Sequence, residues 1–274
     1  MAVTIEDIKK LRHLTSAGLT DCKNALNEAN GDMQAAVEIL RKKGQAVAAK
    51  REDREASEGC VLSKHEGDFA AVVALKCETD FVAKNAGFVE LTNKILNAAV
   101  ANRVQNIEDL KALAIDGRTI ADLIIEETGK TGEKCELGAY ECITAPSVTS
   151  YNHFGNKLAT IVGFNVAGAD ATVLRDVAMQ AAAMNPVAAT IEQVPEDIRK
   201  QELEIGREKA REEGKPEAIL DRIAEGRLNK FYKESVLIEQ EFVKDPSLTV
   251  GKYLAKSQAG LTVVDFKRVN LNED

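Results

Sequence analysis

One pattern, met twice, constrains this chain more than any other: an apolar β-hairpin followed by a helix-forming stretch. CVLSK, the turn HEGD and FAAVVALKC read as the first hairpin. A helix from about Asn85 to Val100 follows, with Phe88, Leu91, Ile95 and Ala99 at helical spacing. Later, GAYECITAPSV, a turn near YNHFGNK and LATIVGFNV read as a second hairpin, and DATVLRDVAMQAAAM as its helix. Phe69 and Leu158 begin equivalent strands. A two-stranded hairpin is marginal in water and needs a helix or further strands to cover its apolar face. The expected class is therefore α+β, with a core of two related hairpin-plus-helix subdomains, each sheet shielded by its own helix. Between them, IEDLKALAIDGRTIADLIIEETGKTGE reads as two short helices.

The flanks are helical. Thr4 and Asp7 have the spacing of a capping box, and Ile8 and Leu11 recur behind them. Thr20 is expected to open a second helix that Asn30-Gly31 ends. Asp32 opens a third, with Met33, Ala36, Val37 and Leu40 on one stripe, and Gly44 is expected to end it. QAVAAKREDREAS then reads as a linker helix or tether. Asn185-Pro186 ends the second long helix, and a highly charged segment starts at Pro195. Its two arms flank the turn EEGKPE and bury one narrow stripe, so an antiparallel helical hairpin that projects is expected, zipped by Leu203, Ile205, Ile219 and Ile223. TVGKYLAKSQ is a short helix, and LTVVDFKRVNL a last strand that completes one of the sheets.

Composition narrows the function classes. Lys and Arg number 36 against 44 Asp and Glu, a formal net charge of -8, which argues against a broad nucleic-acid surface. Aromatic residues are 4% and Trp is absent, so any protein interface leans on a few Phe and Tyr anchors. MAVTIEDIKK has no apolar leader core, and no run approaches the roughly 20 apolar residues of a membrane span. Five widely spaced cysteines do not form a disulfide framework. A cytoplasmic chain with reduced thiols, no cofactor and no membrane contact is expected.

Enzymatic motifs fail on inspection. Gly129-Lys130-Thr131 lacks the glycine five positions earlier that a phosphate loop requires, and reads as a solvated turn. His13, His65 and His153 lie in three separate segments, and the Cys135–Cys142 spacing does not suit zinc. Cys60 and Cys77, opposed across the first hairpin, read as small buried hydrophobes. Glu126-Glu127 and Glu212-Glu213 sit on charged helical faces. With no nucleophile beside a base, no catalytic residue and no metal ligand is assigned, and the chain is not expected to be an enzyme.

LKCETDFVAKNAGF poses the functional question. Phe81 has Lys84 and Asn85 one helical turn ahead, where a core phenylalanine would have apolar neighbours. KCETDFVAKN closely resembles the signature of the bacterial elongation factor Ts family. So do LRHLTSAGLTDCKNALNEANGDMQAAVEILRKKG, EGRLNKFYKE and DPSLTVGKYL, in the expected order over nearly the whole chain. The resemblance implies a guanine nucleotide exchange factor for elongation factor Tu, which it meets in GDP-bound and nucleotide-free forms, with no nucleic acid and with self-association left open. The alternative is a non-catalytic scaffold using the N-terminal helical domain. It also implies a division into a helical domain resembling ubiquitin-associated domains (1–44), a linker (45–57), core subdomain N (58–134), core subdomain C (135–194), the helical hairpin (195–230) and a segment completing subdomain C (231–274). Longer members carry a further C-terminal helical module. This chain stops at VNLNED, so that contact is expected to be absent or supplied elsewhere.

By the same resemblance, Asp80 and Phe81 face the partner near its magnesium site, with Thr79, Val82 and Lys84 forming the rest of the exchange wedge and Asp80 capping the turn. Arg12 and Met33 represent a second contact. Tyr151, His153 and Phe154 represent a third, with a hairpin loop whose rings cover the sheet edge as the alternative.

Overall fold

The computed structural model describes residues 3–15 and 17–273. It is a mixed α+β chain of many helices and small antiparallel sheets. It divides into two compact units: residues up to Leu62, Val73–Tyr140 and the end from Leu271; and Ser63–Val72 with Glu141–Asn270. Among the described residues no helix is long and apolar enough to cross a membrane.

The first unit opens with α1 (Ile5–Thr15), α2 (Leu19–Glu28) and α3 (Met33–Lys50). The Thr4–Asp7 capping box forms: the Asp7 amide donates to Thr4 Oγ1 and the Thr4 amide to Asp7 Oδ2, each at 3.1 Å. Thr20 does not open α2. The Gly18 carbonyl accepts the first helical bond, from Cys22, which leaves Thr20 inside the helix. Asn30 and Gly31 take positive φ of 53° and 84°, and the Gly31 amide closes on the Leu26 carbonyl at 2.8 Å, a glycine-type helix stop. Asp32 caps α3 by accepting from the Ala35 amide at 2.9 Å. Leu11, Cys22, Ala25, Leu26 and Ala36 form the buried centre of this block.

The chain continues through β1 (Glu58–Glu66), β2 (Phe69–Cys77), α4 (Asp80–Ala83), α5 (Ala86–Ala101), α6 (Ile107–Ala112), β3 (Ala114–Ile115), β4 (Arg118–Thr119), α7 (Ile120–Thr131) and β5 (Glu136–Thr144). The division between the units falls within β1, β2 and β5. Helix α5 turns Phe88, Thr92 and Ile95 inward, and Thr92 meets the Cys60 thiol of β1. The segment read as two helices also holds the small β3–β4 hairpin, turned by Asp116 and Gly117 at φ 52° and 79°.

Gly44 does not end α3, which runs on to Lys50, and Gly129 is not in a solvated turn but in the last turn of α7. The two corrections share a cause. A Cβ on Gly129 would lie 2.7 Å from Gly44 Cα, so the helices cross where neither has a side chain. Gly44 serves close approach rather than chain reversal. A boundary at residue 44 therefore falls inside a helix.

The second unit holds β6 (Ser147–Asn152), β7 (Leu158–Phe164), α8 (Ala171–Met184), α9 (Glu196–Glu212), α10 (Leu220–Ser235), β8 (Glu241–Phe242), β9 (Asp245–Thr249), α11 (Val250–Ser257) and β10 (Val263–Asn270). Strand β7 is central between β10 and β6, antiparallel to both, so the last strand does complete this sheet. Val162, Phe164, Leu174, Val177, Leu237 and Leu254 are in its core.

The stretch read as one strand, GAYECITAPSV, is two. Strand β5 extends the first sheet, in the order β1-β2-β5, and only β6 pairs with β7. The Ala145 amide still donates to Asp68 at 3.0 Å, but Pro146 has no N–H to continue the ladder. The charged arms are α9 and α10, packed on each other. Of the expected zip, Leu203, Ile205 and Ile223 are half-buried and Leu203 packs on the cluster that includes Leu228 and Tyr232, but Ile219 is not part of it. Ile219 is 41% exposed, whereas Gly206, Ala210, Leu220, Ala224 and Leu228 are buried. A Cβ on Gly206 would lie 2.9 Å from Ala224 Cα, so small residues set this crossing too.

Candidate partner-binding site

Strand β2 ends at Cys77, and within four residues the chain makes a one-turn helix between two side-chain caps. Thr79 is extended and accepts from the Val82 amide at 3.5 Å, and Asn85 starts α5 by accepting from Gly87 at 2.8 Å. At about 100° per residue, positions two apart lie on nearly opposite sides of a helix. Ala83 is buried, so Phe81 points outward and is 83% exposed. Asp80 is not the cap. Its carboxylate pairs with Lys84 at 2.6 Å, one turn on, and that hydrogen bond holds the Lys84 ammonium above the ordinary lysine range. The cap is Thr79, whose backbone is extended immediately before the turn and whose side chain accepts from the Val82 amide. Val82 is half-buried. The structure thus brings Thr79, Asp80, Phe81, Val82 and Lys84 together on one turn.

The base of this turn is held by residues that sequence reasoning missed. Glu78 accepts from the Lys134 amide at 2.6 Å, from Arg51 at 2.7 Å and from Arg54 at 3.4 Å. These bonds, the Lys134 amide foremost, hold its carboxyl below the usual range. Glu133 accepts from both donors of Thr79. Local patterning gives no signal for partners this distant in sequence.

The secondary candidates divide between the units. In the first, Arg12 is exposed and Met33 is half-buried against the helical core. Exposed Ile5, Leu14 and Leu19 accompany them and had not been singled out. In the second, Tyr151 packs on the core, its hydroxyl 3.0 Å from His153 Nδ1 and its ring 5.9 Å from the Arg175 guanidinium. Phe154 does not cover the sheet edge: it is 97% exposed.

Cys22, Cys60, Cys77, Cys135 and Cys142 are thiols outside any disulfide. Burial pushes the Cys60 and Cys135 thiols up to about 11 and Cys77 to about 12, which disfavours the reactive thiolate. After burial, the nearby Cys135 thiol adds to the rise at Cys77. Among the described residues no group of His, Cys, Asp and Glu is arranged to hold a metal ion.

An exposed aromatic ring on a backed, capped turn is what a protein-binding surface presents to its partner. The class is a protein-binding factor. A family model described as Elongation factor TS matches residues 78–273, which takes in the whole turn. A protein named Elongation factor Ts from Porphyromonas gingivalis (strain ATCC 33277) is 62% identical over 275 residues, covering 100% of each chain. One from Azobacteroides pseudotrichonymphae genomovar. CFP2 is 54% identical over 272 residues and 99% of each. One from Phocaeicola vulgatus is 42% identical over 331 aligned positions and 100% of each. The chain belongs to the elongation factor Ts family. It is a guanine nucleotide exchange factor for elongation factor Tu in translation elongation, and not an enzyme.

Proposed function

We propose that Phe81 is the wedge by which this chain promotes GDP release, with Thr79, Asp80, Val82 and Lys84 as its frame. A G protein holds its nucleotide through donors around the phosphates and through Mg²⁺. An exchange factor need not touch the guanine. It must stabilise the nucleotide-free partner more than the GDP-bound one, and by linkage it then weakens GDP by the same factor. A ring inserted between elements of the partner does this by shifting a segment that helps hold Mg²⁺. The observation that carries the reading is the 83% exposure of Phe81 on a turn fixed from both ends.

The three-helix block, α1 to α3, is the proposed anchor, akin to ubiquitin-associated domains, with Arg12 and Met33 in contact. The loop bearing Tyr151, His153 and Phe154 is the proposed third contact. The two sheets with their helices are read as related subdomains, and α9–α10 as a projecting arm that would carry any self-association. The site of action is the cytoplasm, where the partner works.

Release of fluorescent GDP from purified elongation factor Tu, with wild type and Phe81→Ala, tests the wedge. The variant is expected to be slow with an unchanged melting temperature. A lower melting temperature with unaltered release would make Phe81 a folding residue instead.

A further inference from the structure

A one-turn helix is not stable alone, because nucleation fixes several residues for a single hydrogen bond. The α4 turn must be held from outside, and the holder is the segment that resembled a phosphate loop. Helix α7 ends at Thr131, and Gly132 takes the left-handed backbone at φ 70°, which L side chains rarely adopt, reversing the chain. The returning strand is pinned. Thr131 Oγ1 accepts from the Glu133 amide at 3.2 Å, and the Cys135 amide donates to Thr128 Oγ1 at 3.1 Å. This places the Glu133 carboxylate on Thr79: Oε2 accepts from the Thr79 amide at 3.0 Å and Oε1 from the Thr79 hydroxyl at 2.7 Å. A hydroxyl has one proton and two lone pairs. With its proton committed to Glu133, Thr79 Oγ1 can only accept, and the amide it accepts from is that of Val82, next to Phe81.

We propose that Glu133 is a positioning residue for nucleotide exchange: it sets the direction of the Thr79 cap and so the aim of the Phe81 ring. This inference rests on the reading of Phe81 as the wedge. A ring already ordered in the free protein loses less side-chain freedom on binding, so the carboxylate acts on the exchange step through pre-organisation.

A double-mutant cycle tests it, using the full chain. Glu133→Ala, Glu133→Gln, Phe81→Ala and the two doubles are compared for the maximal rate of GDP release from elongation factor Tu, the concentration at half-maximal rate, and melting temperature. Glu133→Ala is expected to slow maximal release about 3- to 10-fold, the scale of losing charge-assisted hydrogen bonds, with a smaller change in half-maximal concentration. Glu133→Gln, which keeps one acceptor oxygen, is expected to lose about 2- to 3-fold. In the Phe81→Ala background both should do nothing further, since a residue that acts only by aiming the ring has nothing left to aim. Losses that multiply in full with Phe81→Ala would overturn the proposal, as would full-rate Glu133 variants beside a slow Phe81→Ala. If Phe81→Ala alone releases GDP at the wild-type rate, that arm removes the wedge reading and this proposal together. Should Glu133→Ala fail to fold, the Glu133→Gln cycle decides by the same criterion.

Discussion

Two exposed phenylalanines, one in each unit, invite comparison. Phe154 is the more exposed, at 97% against 83% for Phe81. It sits on a β-turn between β6 and β7, where the Asn156 amide closes on the His153 carbonyl at 3.1 Å and Gly155 and Asn156 take positive φ. Phe81 sits on a turn with a threonine cap, an Asp80–Lys84 pair, an asparagine cap for the next helix and two carboxylates gripping its base. What separates them is not how much of the ring is available but how much of the surrounding backbone is fixed beforehand. Exposure makes a contact residue; a fixed frame makes one that can transmit force to a partner, because the ordering cost is met before binding.

The largest expected effect follows from that difference. Burying a phenylalanine side chain is worth about 1.5–3 kcal/mol. If most of it arises only in the nucleotide-free complex, Phe81→Ala slows GDP release roughly 10- to 100-fold, at about 1.4 kcal/mol per decade. Its melting temperature should stay close to wild type, as for other surface changes. Next comes the frame itself. Thr79→Ala removes a helix cap worth about 1 kcal/mol and leaves Glu133 with no hydroxyl to orient, so release should fall about fivefold, while Thr79→Ser should stay near wild type. Stopped-flow release for the pair measures this, and equal rates for Ala and Ser would show that the cap does not matter.

Phe154→Ala is expected to cost less, about threefold in release, mainly through weaker binding of the partner. A loss equal to that of Phe81→Ala would break the comparison and make exposure alone the relevant property.

The smallest effect is on pH. Glu78 has a carboxyl depressed by the Lys134 amide and by Arg51. Its contribution to stability is present above the unfolded value of about 4.3 and is lost as pH falls through the lower folded value. Melting temperature followed down from neutral pH should therefore decline less steeply in Glu78→Gln than in wild type over that acid range. Parallel curves would mean that Glu78 does not couple protonation to folding.

Much of the frame was legible in the sequence, and its limits have physical reasons. Capping residues act within three positions, so Thr4, Asp32 and the Asn30-Gly31 stop could be read directly. Phe81 was legible as a ring with polar neighbours at i+3 and i+4. Glu133 was not, because hydrogen bonds to Thr79 require a partner brought back by the turn after α7. Gly44 failed for a related reason: a glycine that lets a chain reverse and one that lets helices touch look alike until Gly129 is placed against it. Strands β5 and β6 read as one in the sequence because alternation reports a strand but not its neighbour, and only Pro146 marks the break.

The affinity of the chain for elongation factor Tu in its two states tests the central claim most directly. Wild type and Phe81→Ala are each titrated against nucleotide-free and GDP-bound partner. The account predicts that wild type binds the nucleotide-free form more tightly, and that Phe81→Ala loses roughly 10- to 100-fold of that preference while its affinity for the GDP-bound form is little changed. Equal losses of affinity for both forms would contradict it, making Phe81 an anchor rather than the wedge.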